Sequence, residues 1–151
     1  MADVFISHAT SELGFAHFLK RHLEAEGHSV YVAALDLKPG EKWMPAIMEN
    51  LKASQWVLCL ASRSACASPW VMQEMGAAIG ANKKLVPIVW DQRPHELPAW
   101  MQQYQAVELG HNEATAKAAI ARVADQIKAD KQRGLLILGL LAAGVLIFGG
   151  K

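Results

Sequence analysis

The chain has 151 residues, with Lys+Arg 15 against Asp+Glu 14 and a net charge of +1. That is the size of one domain with an ordinary hydrophobic core. The charge balance gives no reason to expect a nucleic-acid partner. Two cysteines, Cys59 and Cys66, are too few for a disulfide framework, and a reduced compartment is the simpler reading. The opening "MADVFISHAT" lacks the charged and apolar regions of a signal peptide, so export by that route is not expected.

Residues 3–9, "DVFISHA", begin with the apolar run Val4, Phe5, Ile6 and read as a buried strand that ends in a loop. "SELGFAHFLKRHLEAEG" has helical spacing, with Ser11 as a candidate cap and Gly27 as a left-handed stop. "HSVYVAA", residues 28–34, is a second strand. "LDLKPGEKW", residues 35–43, is a loop that turns at Pro39-Gly40. "MPAIMENLKAS" reads as helix and "QWVLCLAS" as a third strand. In "SPWVMQEMGAAIGANK", a further helix, Pro69 suits the first turn. "KLVPIVW" is a fourth strand whose Pro87 hints at an edge or a bulge. "HELPAWMQQY" reads as a short helix and "QAVEL" as a short fifth strand. "NEATAKAAIARVADQIKADKQR" is a long helix.

Strand and helix alternate, and the strands are continuous apolar runs. The expected fold is α/β, a doubly wound five-stranded parallel sheet with helices on both faces. In such folds ligands bind beyond the carboxyl ends of the strands. The loops after the first three strands therefore carry the interest.

The end of the chain differs. "GLLILGLLAAGVLIFGG", residues 134–150, has no charged or polar side chain. As a helix it would be about 25 Å long, near the lower limit for a bilayer, where roughly 17–25 residues are needed. Lys128, Lys131 and Arg133 precede it, which assigns that side to the cytoplasm. The expectation is a domain over residues 1–130 and a single-pass C-terminal transmembrane helix over residues 134–150, with the domain in the cytoplasm.

No phosphate cradle of the GxGxxG or GxxxxGK[ST] type, no CxxC, no HExxH and no GxSxG occurs. No metal site is expected. His8 lies just past the first strand, on the ligand side. Trp70 and Glu74 are four residues apart on one helix and share a face. Trp43, at the close of the second-strand loop, can face the same crevice. Rings stack on bases, and a carboxylate accepts hydrogen bonds from ribose hydroxyls, so this grouping suits a nucleotide sugar. The plainer reading makes Glu74 a solvated residue on an amphipathic helix and both tryptophans core.

Taken in order, "DVFISHATSE", "FLKRHLEAEGHSVYV", "LDLKPGEKW", "WVLCLASRSACASPWVMQEMGAA" and "KLVPIVWD" resemble a TIR (Toll/interleukin receptor) domain over roughly residues 2–128. The resemblance implies a flavodoxin-like fold. Some members of this family are signalling adaptors, and others cleave NAD+ at the nicotinamide–ribose bond. The cleaving members carry a glutamate on the third helix four residues after an aromatic, which maps onto Glu74 and Trp70. By the same resemblance Trp43 contacts the nucleotide, and Ser7 and His8 line the pocket. Leu37, Lys38, Pro39 and Gly40 form a self-association loop. NAD+ is then the substrate and no cofactor is implied; the nicotinamide ring, cationic in NAD+, departs neutral and needs no general acid. One carboxylate can stabilise the oxocarbenium-like ribose, where ordinary glycosidases need two. The product is ADP-ribose or a cyclic isomer. The apolar neighbours of Glu74 suggest a raised pKa.

The implied role is a membrane-anchored NAD+ glycohydrolase in bacterial antiphage or immune signalling, activated by assembly, with a separate sensor or activator protein. The alternative is a non-enzymatic adaptor that recruits other TIR domains at a membrane.

Overall fold

A computed structural model describes residues 2–32, 43–110 and 112–148, with the backbone alone described at 43–44 and 134–148. The apolar runs form five strands: β1 (Val4–Ser7), β2 (Val30–Val32), β3 (Trp56–Leu60), β4 (Lys84–Val89) and β5 (Val107–Glu108). All neighbouring pairs are parallel, in the order β2-β1-β3-β4-β5. The α-helices are α1 (Leu13–Ala25), α2 (Trp43–Ala53), α3 (Arg63–Cys66), α4 (Pro69–Gly80) and α5 (Glu113–Phe148).

The strand interiors are apolar because both faces of the sheet are covered, and the polar residues Ser7, Lys84 and Glu108 fall at strand ends. Alternate residues supply two separate cores. Val4, Ile6, Leu58, Leu60, Val86 and Ile88 pack with α1 and α5. Phe5, Val57, Cys59, Leu85 and Val89 pack with α2, α3 and α4. From β1 the chain moves outward to β2, then crosses back to β3 on the other side. The order therefore reverses between β1 and β3, and a crevice at their carboxyl ends is where this architecture binds ligands.

Several local expectations change. Ser11 does not cap α1. It lies in a 3-10 turn over Thr10–Glu12, and α1 starts at Leu13 without a side-chain cap. Gly27 does end the helix, with φ +89°, and His28 N–H donates back to the Leu23 carbonyl at 3.1 Å. The segment 95–104 is not an α-helix. It is a 3-10 turn over Pro94–Glu96 followed by hydrogen-bonded turns. Leu97 precedes Pro98 and is extended, with ψ 157°, as the ring of a following proline dictates. The loop after β3 contains the short helix α3, capped by Ser62, whose Oγ accepts from Ala65 N–H at 3.0 Å.

Pro87 sits in an inner strand, yet its missing N–H costs the ladder nothing. Lys84 N–H donates to Gln55 and Ile88 C=O accepts from Ala61, so the even residues of β4 bond toward β3. Val89 C=O accepts from Leu109 N–H, so the odd residues face β5. The β5 ladder begins with Val107 opposite Ile88, and Pro87 faces the stretch before it starts.

α5 lies across the first core through Ala119, Ile120, Val123, Ala124 and Ile127. Its middle is tied to the amino ends of three strands. Asp130 accepts from Trp56 Nε1 at 3.1 Å and pairs with Lys84, and Lys131 bonds Asp3 Oδ2 at 3.0 Å. The helix then continues to Phe148 without a break at the expected domain boundary. Among the residues searched, all of them described, no helix is long and apolar enough to cross a membrane. The side chains of the apolar tail over 134–150 lie outside the described residues, as does the loop Leu37, Lys38, Pro39 and Gly40.

Candidate active site

The last residue of β1 is Ser7. Alternation turns Phe5 and Ser7 toward the α2–α4 layer, away from Val4 and Ile6. From the carboxyl end of β3 the chain runs through α3 into α4. Ser68 Oγ accepts from Val71 N–H at 3.3 Å, and Pro69 holds the first helical position, so the entry of α4 is fixed locally. The buried face of α4 is Val71, Glu74, Met75 and Ala78. Glu74 is therefore on the inner stripe, one turn after the cap region.

Ser7 Oγ donates to Glu74 Oε1 at 3.1 Å. Both residues are 0% exposed. Glu74 Oε2 is buried and finds no hydrogen-bond partner among the described residues. Burial pushes the Glu74 pKa up to about 8, against the opposing effect of the Ser7 hydrogen bond. The plain reading of Glu74 as a solvated helix residue is thus overturned. A carboxyl group in an apolar cluster, with one oxygen unpartnered, is costly to stability and marks a functional candidate.

Two neighbours feel this charge. The Tyr31 hydroxyl is raised by burial and then by Glu74. The Cys59 thiol is raised by burial, then by Cys66 and Glu74. Tyr31 pairs with Phe5 in the β1–β2 register, and their rings stack at 5.4 Å between centroids. Ser7 pairs with Cys59. Neither Tyr31 nor Cys59 stands out in sequence. Period-two alternation on β1, β2 and β3 was the signal that could have found them.

The other expected site residues are distributed as follows. His8 follows Ser7 and is fully buried, with its Nδ1 2.7 Å from the Ala9 carbonyl. Since a carbonyl only accepts, Nδ1 carries a proton. Trp70 is half-buried one turn before Glu74 and packs against the cluster of Phe5, Cys59 and Met75. Trp43 opens α2, but its side chain lies outside the described residues. Ser7 and Glu74 are brought together directly. Among the described residues no group of His, Cys, Asp and Glu could hold a metal ion.

Among the described residues two cavities stand open at the carboxyl ends of β4 and β5. One, of about 580 Å³, is lined by residues that include Arg63, Asp91, Arg93 and Thr115. The other, of about 460 Å³, lies between the starts of α1 and α5. Trp90 and Gly110 border both, and Glu74 borders neither.

The sequence pattern of the TIR domain family matches residues 4–124. The TIR domain of the Toll-related receptor TRR-2 from Hydra magnipapillata superposes with a TM-score of 0.68 at 20% identity, over 85% of this chain and 99% of that one. The TIR domains of the activated Roq1 resistosome, a complex that directly recognises the pathogen effector XopQ, give 0.68 at 15% identity, over 84% and 99%. A metazoan TIR-STING receptor from C. gigas in complex with 2',3'-cGAMP gives 0.66 at 21% identity, over 82% of this chain but only 40% of the receptor. Sheet order, sequence pattern and superposition agree, and the chain belongs to the TIR domain family.

Proposed function

We propose that this TIR domain is an NAD+ glycohydrolase that cleaves the nicotinamide–ribose bond. The observation that carries the reading is the buried Glu74 carboxyl group, held on one oxygen by Ser7 and unpartnered on the other, at the carboxyl side of the β1/β3 reversal. In its ionised form Glu74 stabilises the oxocarbenium-like ribose and accepts hydrogen bonds from its hydroxyls. Nicotinamide departs neutral with the electrons of the broken C–N bond. Water adds to the anomeric carbon and loses a proton, giving ADP-ribose. Attack by a group of the substrate itself gives a cyclic isomer. No metal or cofactor takes part.

The role is TIR-based signalling, and bacterial antiphage or immune defence is its proposed setting. Self-assembly through Leu37, Lys38, Pro39 and Gly40 activates the domain, under a separate sensor or activator. The apolar segment 134–150 anchors it in a membrane, with the domain in the cytoplasm. The tight closure around Glu74 supports assembly control, because substrate reaches the carboxylate only after the crevice opens. The course of α5, which leaves at the amino edge of the sheet, supports an anchor that keeps the crevice turned away from the lipid.

The second reading is a non-enzymatic adaptor that recruits other TIR domains. The same enclosure of Glu74, which is 0% exposed, favours it. Incubation with NAD+ decides between them. Wild type, clustered on vesicles, is expected to release nicotinamide, and Glu74→Ala and Glu74→Gln are expected to release none. Absence of nicotinamide from clustered wild type, or equal release from the variants, sinks the enzyme.

A further inference from the structure

The two oxygens of Glu74 have different surroundings, and the difference assigns Ser7 a task. We propose that Ser7 is a positioning residue for Glu74 and not a contact of the substrate: its hydroxyl holds Oε1 and leaves Oε2 as the oxygen that meets the ribose. The proposal rests on the NAD+-cleaving reading of the site and deepens it.

Ser7 is well built for this task. It ends a strand that is paired on both sides, with β2 through Ile6 and with β3 through Ser7 itself opposite Cys59. Its backbone is therefore fixed by the sheet. Its side chain is 0% exposed and already committed to Glu74 at 3.1 Å. A substrate hydroxyl would have to displace the carboxylate to reach it. Oε2 has no such commitment among the described residues.

The groups that face Glu74 sharpen the point. From β2 comes Tyr31 and from β3 comes Cys59, both in their neutral forms at pH 7. α2 contributes the apolar Ile47 and Leu51 to the same cluster. No cation among the described residues pairs with the carboxylate, and Ser7 is the group whose hydrogen bond favours its charged form. Removing that hydroxyl leaves both oxygens without a donor. The charged form becomes rarer, and the side chain loses the contact that fixes its rotamer.

The test compares full-length wild type, Ser7→Ala and Ser7→Thr by the pH dependence of NAD+ cleavage on vesicles. Ser7→Ala is expected to move the rising limb upward by about one pH unit. It lowers kcat at pH 7 about tenfold and leaves KM within about twofold. Ser7→Thr keeps a hydroxyl and is expected to restore the limb. The carboxyl carbon of Glu74, followed by NMR in 13C-glutamate-labelled protein and assigned by its loss in Glu74→Gln, gives the same midpoint without any turnover. An unmoved midpoint in folded Ser7→Ala overturns the proposal. So does a higher KM with unchanged kcat, which would make Ser7 a substrate contact. A shifted midpoint without nicotinamide release from any variant upholds the Ser7–Glu74 coupling and removes the NAD+-cleaving reading.

Discussion

Ser7 and Glu74 lie 67 residues apart in the chain and share a buried hydrogen bond of 3.1 Å. The strand end and the helix that supply them meet where the sheet order reverses. Most of the expected behaviour of this protein follows from the protonation state of that pair.

The first prediction concerns rate. Only the carboxylate can stabilise positive charge on the ribose, and its pKa is raised to about 8. At pH 7 about a tenth of the molecules are ionised, and at pH 6 about a hundredth. Nicotinamide release should therefore rise about tenfold per unit from pH 6 and level off above pH 8. Stopped assays with purified protein at low surface density on vesicles, before crowding alters the crevice, give the profile across this range. A rate independent of pH between 5 and 8 would exclude Glu74 as the group that titrates.

Stability should show the opposite trend. The folded pKa of Glu74 lies above its unfolded value, near 4.5. Below the unfolded value the carboxyl is protonated in both states and its contribution is complete. As pH rises through the folded value near 8, the native state must lose its proton and that contribution disappears. Glu74→Gln cannot ionise. It should match wild type near pH 4.5 and exceed it at pH 8 and above, by on the order of a few kcal/mol. Urea unfolding at the two pH values measures this. Equal stabilities at both would mean that the carboxyl is hydrated in the folded protein.

The strands were legible because parallel strands covered on both faces read as unbroken apolar runs. So was the end of α1, where Gly27 supplies a positive φ. The segment 95–104 was misread because its apolar residues, including the buried Leu97 and Met101, suggested helix, whereas Pro94 and Pro98 break the backbone bonding. Glu74 sits at helical spacing from Val71, Met75 and Ala78, so its inward direction was readable in principle. Its partner was not, since nothing local in "DVFISHA" tells which helix will cross Ser7. Alternation along β2 could give the face of Tyr31, but not its neighbour. Its neighbourhood depends on β2 pairing with β1 in the register Phe5↔Tyr31, a long-range fact. The side chain of Trp43 and the loop Leu37, Lys38, Pro39 and Gly40 lie outside the described residues.

The attachment of α5 should depend on its apolar stripe more than on its ion pairs. Ile127 is 0% exposed within the first core. Ile127→Ala should cost about 2–5 kcal/mol, the range for such buried truncations. Lys131 is partly exposed and bonds Asp3 at 3.0 Å at the rim. Lys131→Ala should cost at most about 1 kcal/mol, and less at high salt. Thermal unfolding at low and high ionic strength separates the two effects. A larger loss for Lys131→Ala than for Ile127→Ala would mean that the rim holds the helix.

The last prediction couples assembly to the pKa. Enclosure is the largest cause of the raised pKa, so any opening that admits water or substrate to Glu74 must lower it. If clustering opens the crevice, two changes should appear together. The rate per molecule should rise, and the midpoint of the pH–rate limb should move down from about 8. The comparison uses full-length protein on vesicles at increasing surface density against a chain ending at residue 133, dilute in solution. Holding the domains on a surface raises their local concentration without adding any contact to the site. A rate that rises with density at a constant midpoint would place the control at substrate entry alone. A truncated, dilute chain that already shows full rate and the lower midpoint would show that the crevice opens without a neighbour.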